Sequence, residues 1–406
     1  MAKQHPADRE VDRLIEIQRE AAPATRRRDI VLIALCAALI LTFAVGIYLL
    51  PQRSFSAQEN RALQPFPKVS FARIWDGRFM AELKDFYTDQ FPLRDILVPV
   101  KAGAELALGK GENNDVILGR EGYLVKRIEY SEAQLDTVCT NLDAIDRFSA
   151  LSPYPVSLAI APRAIDVLGE YLPGLASADR AAAVWPRIDS RSGGMQTLSL
   201  REVLTPLADA GEPVWYRTDH HWTTLGAYHA YAAIGGLCGY TPTPLDRFTP
   251  ETAAGDFLGT TYSASGFGWI EGEEMQFYRY PGDENFTVEV LLGGEVSRTL
   301  DGFYDRSYLE KKDKYAAFLS SNNGHMRIRA DGEDRPTMLL IKDSFAHAVV
   351  PFLAQHYDLE ILDLRYYRGS VAKFLAAAEI DQILILVGLD TLATDATLTG
   401  LTVGME

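Results

Sequence analysis

An α/β fold on a mostly parallel sheet, behind one N-terminal membrane-spanning helix, is the architecture that this sequence predicts. Two observations carry it. Residues 30–50 are 21 consecutive positions without a charge, rich in Leu, Ile, Ala and Val, and about 20 helical residues span a hydrocarbon core of ~30 Å. From residue 155 onward, short buried-type strands alternate with helical segments. That alternation is the pattern of a parallel sheet, which binds its ligands outside the carboxyl ends of its strands.

The elements follow in order. Residues 1–29 hold seven Lys/Arg and six Asp/Glu, with a short amphipathic helix expected over 11–22. Arg26, Arg27 and Arg28 precede the apolar span, and Arg53 is the only basic residue just after it. The positive-inside bias therefore puts the N-terminus in the cytoplasm and everything after Leu50 outside. The span lacks the polar face of a long core helix. The segment before it is longer than the n-region of a signal peptide, and Ser54-Phe55-Ser56 is a weak cleavage site, which favours an uncleaved signal anchor over a cleaved leader. The expected organisation is a cytoplasmic tail over 1–29, a transmembrane signal anchor over 30–50, a stem over 51–70 and an extracytoplasmic domain over 71–406, in a single-pass plasma-membrane protein.

Beyond the tail the chain has 33 basic and 49 acidic residues, a net of −16. That balance excludes binding of nucleic acid by bulk charge. Cys36 lies within the span. Cys139 and Cys238 lie beyond it, and are either a disulfide of an oxidising compartment or two buried thiols.

Helical periodicity runs over 71–108. Residues 116–126 read as a hairpin turning at Gly119-Arg120-Glu121-Gly122, and 132–151 as an amphipathic helix. A buried-type strand is expected over 155–161. Helices are expected over 177–185, stopped by Pro186, and over 198–209. A strand over 213–217 and a helix over 223–237 flank the most polar motif of the chain. Residues 255–296, rich in Gly, Thr, Tyr and Phe, read as inserted β-hairpins and loops. Strands over 337–341, 359–364 and 382–387 then alternate with helices over 345–356 and 370–379.

The motif is Thr218-Asp219-His220-His221-Trp222. The chain has only seven histidines, so two beside an aspartate concentrate proton-handling chemistry. A serine hydroxyl is a poor nucleophile until a histidine accepts its proton, and the histidine needs a carboxylate to fix its tautomer. In extended backbone, residues i and i+2 share a side, so Asp219 and His221 pair while His220 points away. Ser344, in Lys342-Asp343-Ser344-Phe345 at the end of a strand, is the candidate nucleophile. Its backbone N–H is a candidate oxyanion donor. Trp222 is expected to wall the site. His220, Asn322, Asn323 and Arg365 are further candidates for substrate or oxyanion contacts, although Asn322-Asn323-Gly324 is first of all a turn. His347 lies one helical turn after Ser344, but like His229 and His325 it reads as structural.

Two other readings stand beside this one. Asp219 could merely cap the following helix, with the histidines as packing residues. Two strand-end clusters in one α/β domain favour function instead. Asp-His-His could also ligate a metal, but a two-metal phosphoesterase needs closely spaced aspartates after an earlier strand. Here Pro162-Arg163-Ala164-Ile165-Asp166 contains no such pair, so no metal and no cofactor is expected.

Read in order, Glu59-Asn60-Arg61-Ala62-Leu63, Asp89-Gln90-Phe91-Pro92-Leu93-Arg94, Gly119-Arg120-Glu121-Gly122-Tyr123-Leu124, Ala161-Pro162-Arg163, Thr218-Asp219-His220-His221-Trp222, Lys314-Tyr315-Ala316-Ala317-Phe318, Lys342-Asp343-Ser344-Phe345 and Asp363-Leu364-Arg365-Tyr366-Tyr367 resemble the DHHW family. That family is related to the SGNH-like alginate O-acetyltransferases. The resemblance covers essentially the whole region beyond the anchor. It implies an SGNH-hydrolase-like α/β domain with permuted catalytic segments, Asp-x-His preceding the serine. It assigns the triad Ser344, His221 and Asp219, the same three reached from spacing. It further implies O-acetyl transfer to a cell-surface polysaccharide, or removal from one by an acetylesterase, through an acetyl-serine. The acetyl group would come from a membrane-bound O-acyltransferase partner. The alternative is a non-catalytic assembly factor or binding component of an acetylation complex. Phe318-Leu319-Ser320-Ser321-Asn322-Asn323 departs from the Gly-Gly-Asn or Gly-Gly-Asp turn common in the family, which leaves the side-chain oxyanion donor open.

Overall fold

The computed structural model describes residues 6–174, 183–191, 195–332 and 334–405, with side chains from Arg26 onward. The chain divides into two compact units, Met1–Ala57 with Arg61–Leu97, and Gln58–Asn60 with Val98–Glu406.

In the first unit, helix α1 (Pro6–Leu49) is continuous through the tail and the apolar span. Its Arg26–Leu49 portion is long and apolar enough to cross a membrane and is almost wholly unburied. The helical stretch expected over 71–108 is three helices, Phe71–Trp75, Arg78–Asp89 and Arg94–Ala107. The division between units falls within the last of these. Residues 71–89 go with the first unit because Asp89, 3% exposed, is tied there: Arg61 donates to both its oxygens at 2.9 and 2.5 Å, and the Gln64 N–H donates at 2.8 Å.

The second unit is built on an eight-stranded sheet. Its strands are β1 (Val156–Ala161), β2 (Gln196–Ser199), β3 (Phe286–Leu292), β4 (Glu295–Leu300), β5 (His325–Ala330), β6 (Thr337–Lys342), β7 (Asp358–Leu362) and β8 (Gln382–Gly388), in the order β4-β3-β5-β7-β6-β8-β1-β2. Strands β7, β6, β8, β1 and β2 run parallel, and β5, β3 and β4 extend the sheet antiparallel. Strands buried on both faces read as continuous apolar runs, and Met338 to Ile341 is such a run. Met338 and Leu340 face one core with helices α3 (Leu200–Asp209) and α4 (Thr224–Cys238). Leu339 and Ile341 face the other with α2 (Glu132–Leu151), which is capped by Ser131 and Gln134.

Several expectations shift in detail. Strand β5 is not among the expected elements, although Met326, Ile328 and Ala330 alternate with His325, Arg327 and Arg329 along it, the period of a half-buried strand. The helix expected over 345–356 is a 3₁₀ turn, Ser344–Ala348, and a short α-helix, Val350–Leu353. Residues 213–217 are not a strand of the sheet. Trp215 bridges only Trp222, so this apolar run pairs with its own continuation. Residues 255–296 do contain hairpin strands, with Thr249–Phe257 pairing Glu273–Arg279. The helix expected over 177–185 lies mostly outside the described residues; Trp185–Asp189 is helical. Cys139 and Cys238 are free thiols.

Candidate active site

The Trp215–Trp222 bridge closes a tight hairpin, fastened by Tyr216 N–H to His221 O at 3.3 Å and Thr223 N–H to Val214 O at 3.0 Å. Asp219, His220 and His221 lie at its tip. The pairing expected from extended backbone arises instead from a turn: the His221 N–H donates to Asp219 Oδ1 at 3.0 Å, folding the carboxylate back beneath the imidazole. His221 Nδ1 then lies 2.6 Å from the same oxygen. A carboxylate only accepts, so Nδ1 carries the proton and Nε2 is left with its lone pair. Ser344 Oγ lies 2.9 Å from that Nε2. The three residues named from spacing therefore form one continuous hydrogen-bonded chain.

Asp219 does not cap α4. Thr223 does, its hydroxyl accepting from the Gly226 N–H at 3.1 Å. The second oxygen of Asp219 is taken by Thr260, whose N–H and hydroxyl donate to Oδ2 at 2.7 and 2.9 Å. Gly259 sits so close that a Cβ there would be 2.3 Å from Asp219 Oδ2. Asp219, His220 and His221 offer ligand atoms within 4.8 Å of one another, but both Asp219 oxygens already hold two donors each. A metal would have to displace these bonds, so the donor set does not fit one.

Tyr315 fixes the imidazole from its face, stacking on His221 at 3.9 Å between centroids and 5° between planes. Phe345 meets the ring edge-on at 5.1 Å. Ser344 opens a 3₁₀ turn at the carboxyl end of β6. Asp343 braces that turn, accepting from the Phe345 N–H at 3.0 Å and from Gly388 N–H and Thr391 Oγ1 at 2.6 Å each. Burial, together with the neighbouring His220, lowers the His221 imidazole to about 4 against the opposing pull of Asp219. Burial would raise Asp219, but His220, His221 and the Thr260 N–H outweigh it and hold the carboxyl well below the usual range.

The other candidates distribute differently. His220 does not point away from its neighbours: its ring lies 3.7 Å from that of His221, and its Nδ1 is 2.6 Å from Thr260 Oγ1. A hairpin tip does not alternate sides as a strand does. His220 lines a cavity of about 340 Å³ with Phe345, Thr260, Ala164, Arg163 and Lys126. Trp222 is fully buried under Phe345 and belongs to the core rather than the wall of the site. Asn323 spends its amide on the carbonyls of Leu319, Ser320 and Ser321 at 3.1, 3.2 and 3.2 Å, holding a turn whose three residues all have positive φ. Asn322 is exposed, and its Oδ1 accepts from Arg365 at 3.4 Å. Arg365 clamps Asp363 through Nε at 2.9 Å and a second nitrogen at 2.7 Å. His347 is buried, its Nε2 accepting from Lys342 Nζ at 2.7 Å. Thr260, Gly259 and the stacking role of Tyr315 were not legible beforehand. A Gly-Thr pair in a loop carries no signal of its own.

These observations can be set against known proteins. Residues 202–361 match the DHHW protein family. Residues 124–256 match the SGNH hydrolase-like domain of acetyltransferase AlgX. The chain is 22% identical over 191 residues to the probable alginate O-acetylase AlgJ of Pseudomonas fluorescens, covering 45% of this chain and 48%, about half, of that protein. A DHHW family protein from Eubacterium siraeum superposes with a TM-score of 0.57 at 18% identity, over 71% of this chain and 95% of that one. Bacillus cereus PatB1, solved with a sulfonyl adduct, superposes with a TM-score of 0.58 at 20% identity, over 70% and 99%. The chain is thus related to DHHW proteins and to SGNH-like alginate acetyltransferases, and its fold is SGNH-hydrolase-like.

Proposed function

We propose that this chain is a membrane-anchored, extracytoplasmic O-acyltransferase that moves an acetyl group onto a cell-surface polysaccharide through a Ser344–His221–Asp219 triad. The observation that carries the reading is the 2.9 Å contact of Ser344 Oγ with the unprotonated Nε2 of His221. The kinship with an alginate O-acetylase supports acetyl transfer to a polysaccharide as the chemistry.

His221 takes the Ser344 proton as Oγ attacks the acetyl carbonyl of a donor. The first N–H of a helical turn has no partner within it, so the Ser344 N–H is the proposed oxyanion donor. His221 returns the proton to the leaving group, and acetyl-serine remains. A sugar hydroxyl then gives its proton to His221 and takes the acetyl group. Water in place of the sugar makes the same chain an esterase. The cavity beside His220 and Phe345 is the proposed place for the acceptor. Helix α1 would tether the domain beside a membrane-bound O-acyltransferase that supplies the acetyl group.

The test is hydrolysis of an aryl acetate by the full-length chain and by Ser344→Ala. Loss of about 10³-fold or more in kcat is expected, with acetylated Ser344 trapped in the parent and seen by mass spectrometry. Equal acetyl release by both would leave a non-catalytic assembly role.

A further inference from the structure

The sheet face that carries Leu339, Ile341 and Ile385 changes character at β7. Side chains two apart on a strand share a face, so His325, Arg327 and Arg329 of β5 stand together there. Asp358 and Glu360 stand opposite them on β7, with Arg327 paired to Glu360. A cavity of about 780 Å³ lies over His325, Arg327, Arg329 and Glu360, bounded by α5 (Val371–Ala377) and lined also by Tyr366, Tyr367, Phe374 and Lys373. That volume is of the size of ligand sites, which span ~300–1,000 Å³.

The charges in this groove are layered. Glu360 is buried and lines its floor, and Asp358 is buried two residues before it on β7. Arg327 Nε donates to Glu360 at 2.7 Å, Arg329 donates to Asp358 and Glu360 at 3.2 Å each, and His325 Nε2 lies 2.8 Å from Glu360. The two arginine side chains nevertheless remain 30% and 47% exposed. A guanidinium has five donors in a fixed fork. Arg327 also faces Glu289 at 3.8 Å; held in this way by carboxylates, each fork is already ordered and loses little entropy when an anion meets its remaining N–H groups. Lys373 is exposed on the neighbouring helix. The accessible lining therefore sets Arg327, Arg329, Arg368 and Lys373 against one exposed acid, Glu379, in a chain whose net charge is −15.

The aromatic residues decide the class of ligand. A free inorganic anion needs the arginines and has no use for Tyr366, Tyr367 and Phe374. A sugar ring bearing a carboxylate uses both, its acid on the guanidinium forks and its apolar C–H face against the rings. Gly324 and Tyr366 line the groove and lie next to the end of the sheet where β6 leads into Ser344, since His325 and Ile341 both pair with Leu362. We propose that this groove binds a carboxylate-bearing stretch of a glycan, with Arg327, Arg329 and Lys373 on its acids and Tyr366 and Phe374 against its rings. That the bound glycan is also the acetyl acceptor rests on the function proposed above; the binding itself does not.

Calorimetry on the full-length Ser344→Ala protein in detergent separates binding from chemistry. The probes are an oligogalacturonate and a neutral cello-oligosaccharide of equal length. The oligogalacturonate is expected to bind, to weaken as salt rises, and to exceed the neutral chain by about tenfold or more, the scale of one good charge-assisted contact. Lys373→Glu and Arg329→Gln should each weaken it about tenfold. If Arg329→Gln fails to fold, Lys373→Glu decides alone, since that side chain stands in solvent. No oligogalacturonate binding, equal binding of the neutral chain, unchanged affinity in the folded variants, or displacement by inorganic phosphate as readily as by free oligogalacturonate would overturn the proposal. Oligogalacturonate binding by a chain whose parent lacks esterase activity would sink the catalytic reading and leave the groove; the reverse result would sink the groove alone.

Discussion

Thr260 reaches Asp219 Oδ2 twice, through its N–H at 2.7 Å and its hydroxyl at 2.9 Å. The hydroxyl gives its proton to the carboxylate, so its oxygen is free to accept from His220 Nδ1 at 2.6 Å. One threonine thus sets the carboxylate that orients His221 and the tautomer of the histidine beside it. Thr260→Val keeps the shape and the backbone donor but removes the hydroxyl. A hydrogen bond to a charged group contributes about 1.5–3 kcal/mol, so kcat for ester hydrolysis should fall about tenfold or more with KM little changed. A fall confined to KM would count against this role.

The pH profile follows from His221. The base works only when unprotonated, and burial lowers it to about 4. A lowered pKa keeps the imidazole neutral, and the proposed base competent, well below the ordinary histidine range of ~6.5. The acid limb of kcat/KM should therefore fall near pH 4. A limb at or above the ordinary value in the parent protein would refute the buried, neutral base.

Gly259 offers a steric probe of the same carboxylate. An alanine Cβ would lie 2.3 Å from both Cβ and Oδ2 of Asp219, so Asp219 or the loop must move. Overpacking of this kind costs about 1–3 kcal/mol. Gly259→Ala should melt at a lower temperature and lose about tenfold or more in kcat. A variant with parent kinetics would show that Asp219 tolerates displacement.

Glu273 holds the approach to the hairpin. Its oxygens accept from the Thr218 N–H at 2.7 Å, the Thr218 hydroxyl at 2.6 Å and the Arg217 N–H at 2.9 Å. Glu273→Ala leaves these donors without their acceptor, and an unsatisfied buried donor costs about 1–3 kcal/mol. Chemical denaturation should register a loss of at least that size, with activity falling as the hairpin loosens. Unchanged stability would mean that water replaces the carboxylate without cost.

Much of this molecule could be read from its residues in order. The uncharged run over 30–50, the apolar strands β1, β6, β7 and β8, and the helix over 132–151 each announce themselves through local periodicity, a property of neighbours in sequence. Strand β5 is not among them, although Met326, Ile328 and Ala330 alternate with His325, Arg327 and Arg329; what local order does not contain is its partner, since Asp358 and Glu360, which match the arginines, follow later in the chain. Spacing pairs Asp219 with His221, and the structure joins them by another route: the segment is a hairpin tip rather than a strand, and so His220 stays beside them. Asn323 and Trp222 fit the chemistry of a site by residue type, yet the fold commits one to a turn and the other to the core.

By itself the sequence determined which side chains have the chemistry for a triad, since a serine, a histidine and a carboxylate are recognisable wherever they stand. Only the tertiary structure decided that they meet. Ser344 reaches His221 because β6 ends beside a hairpin closed by its own tryptophans. Thr260, Gly259 and Tyr315 then fix the geometry in roles that local order does not reveal, because a hydrogen bond or a stacked ring depends on distance in space, which separation along the chain does not encode.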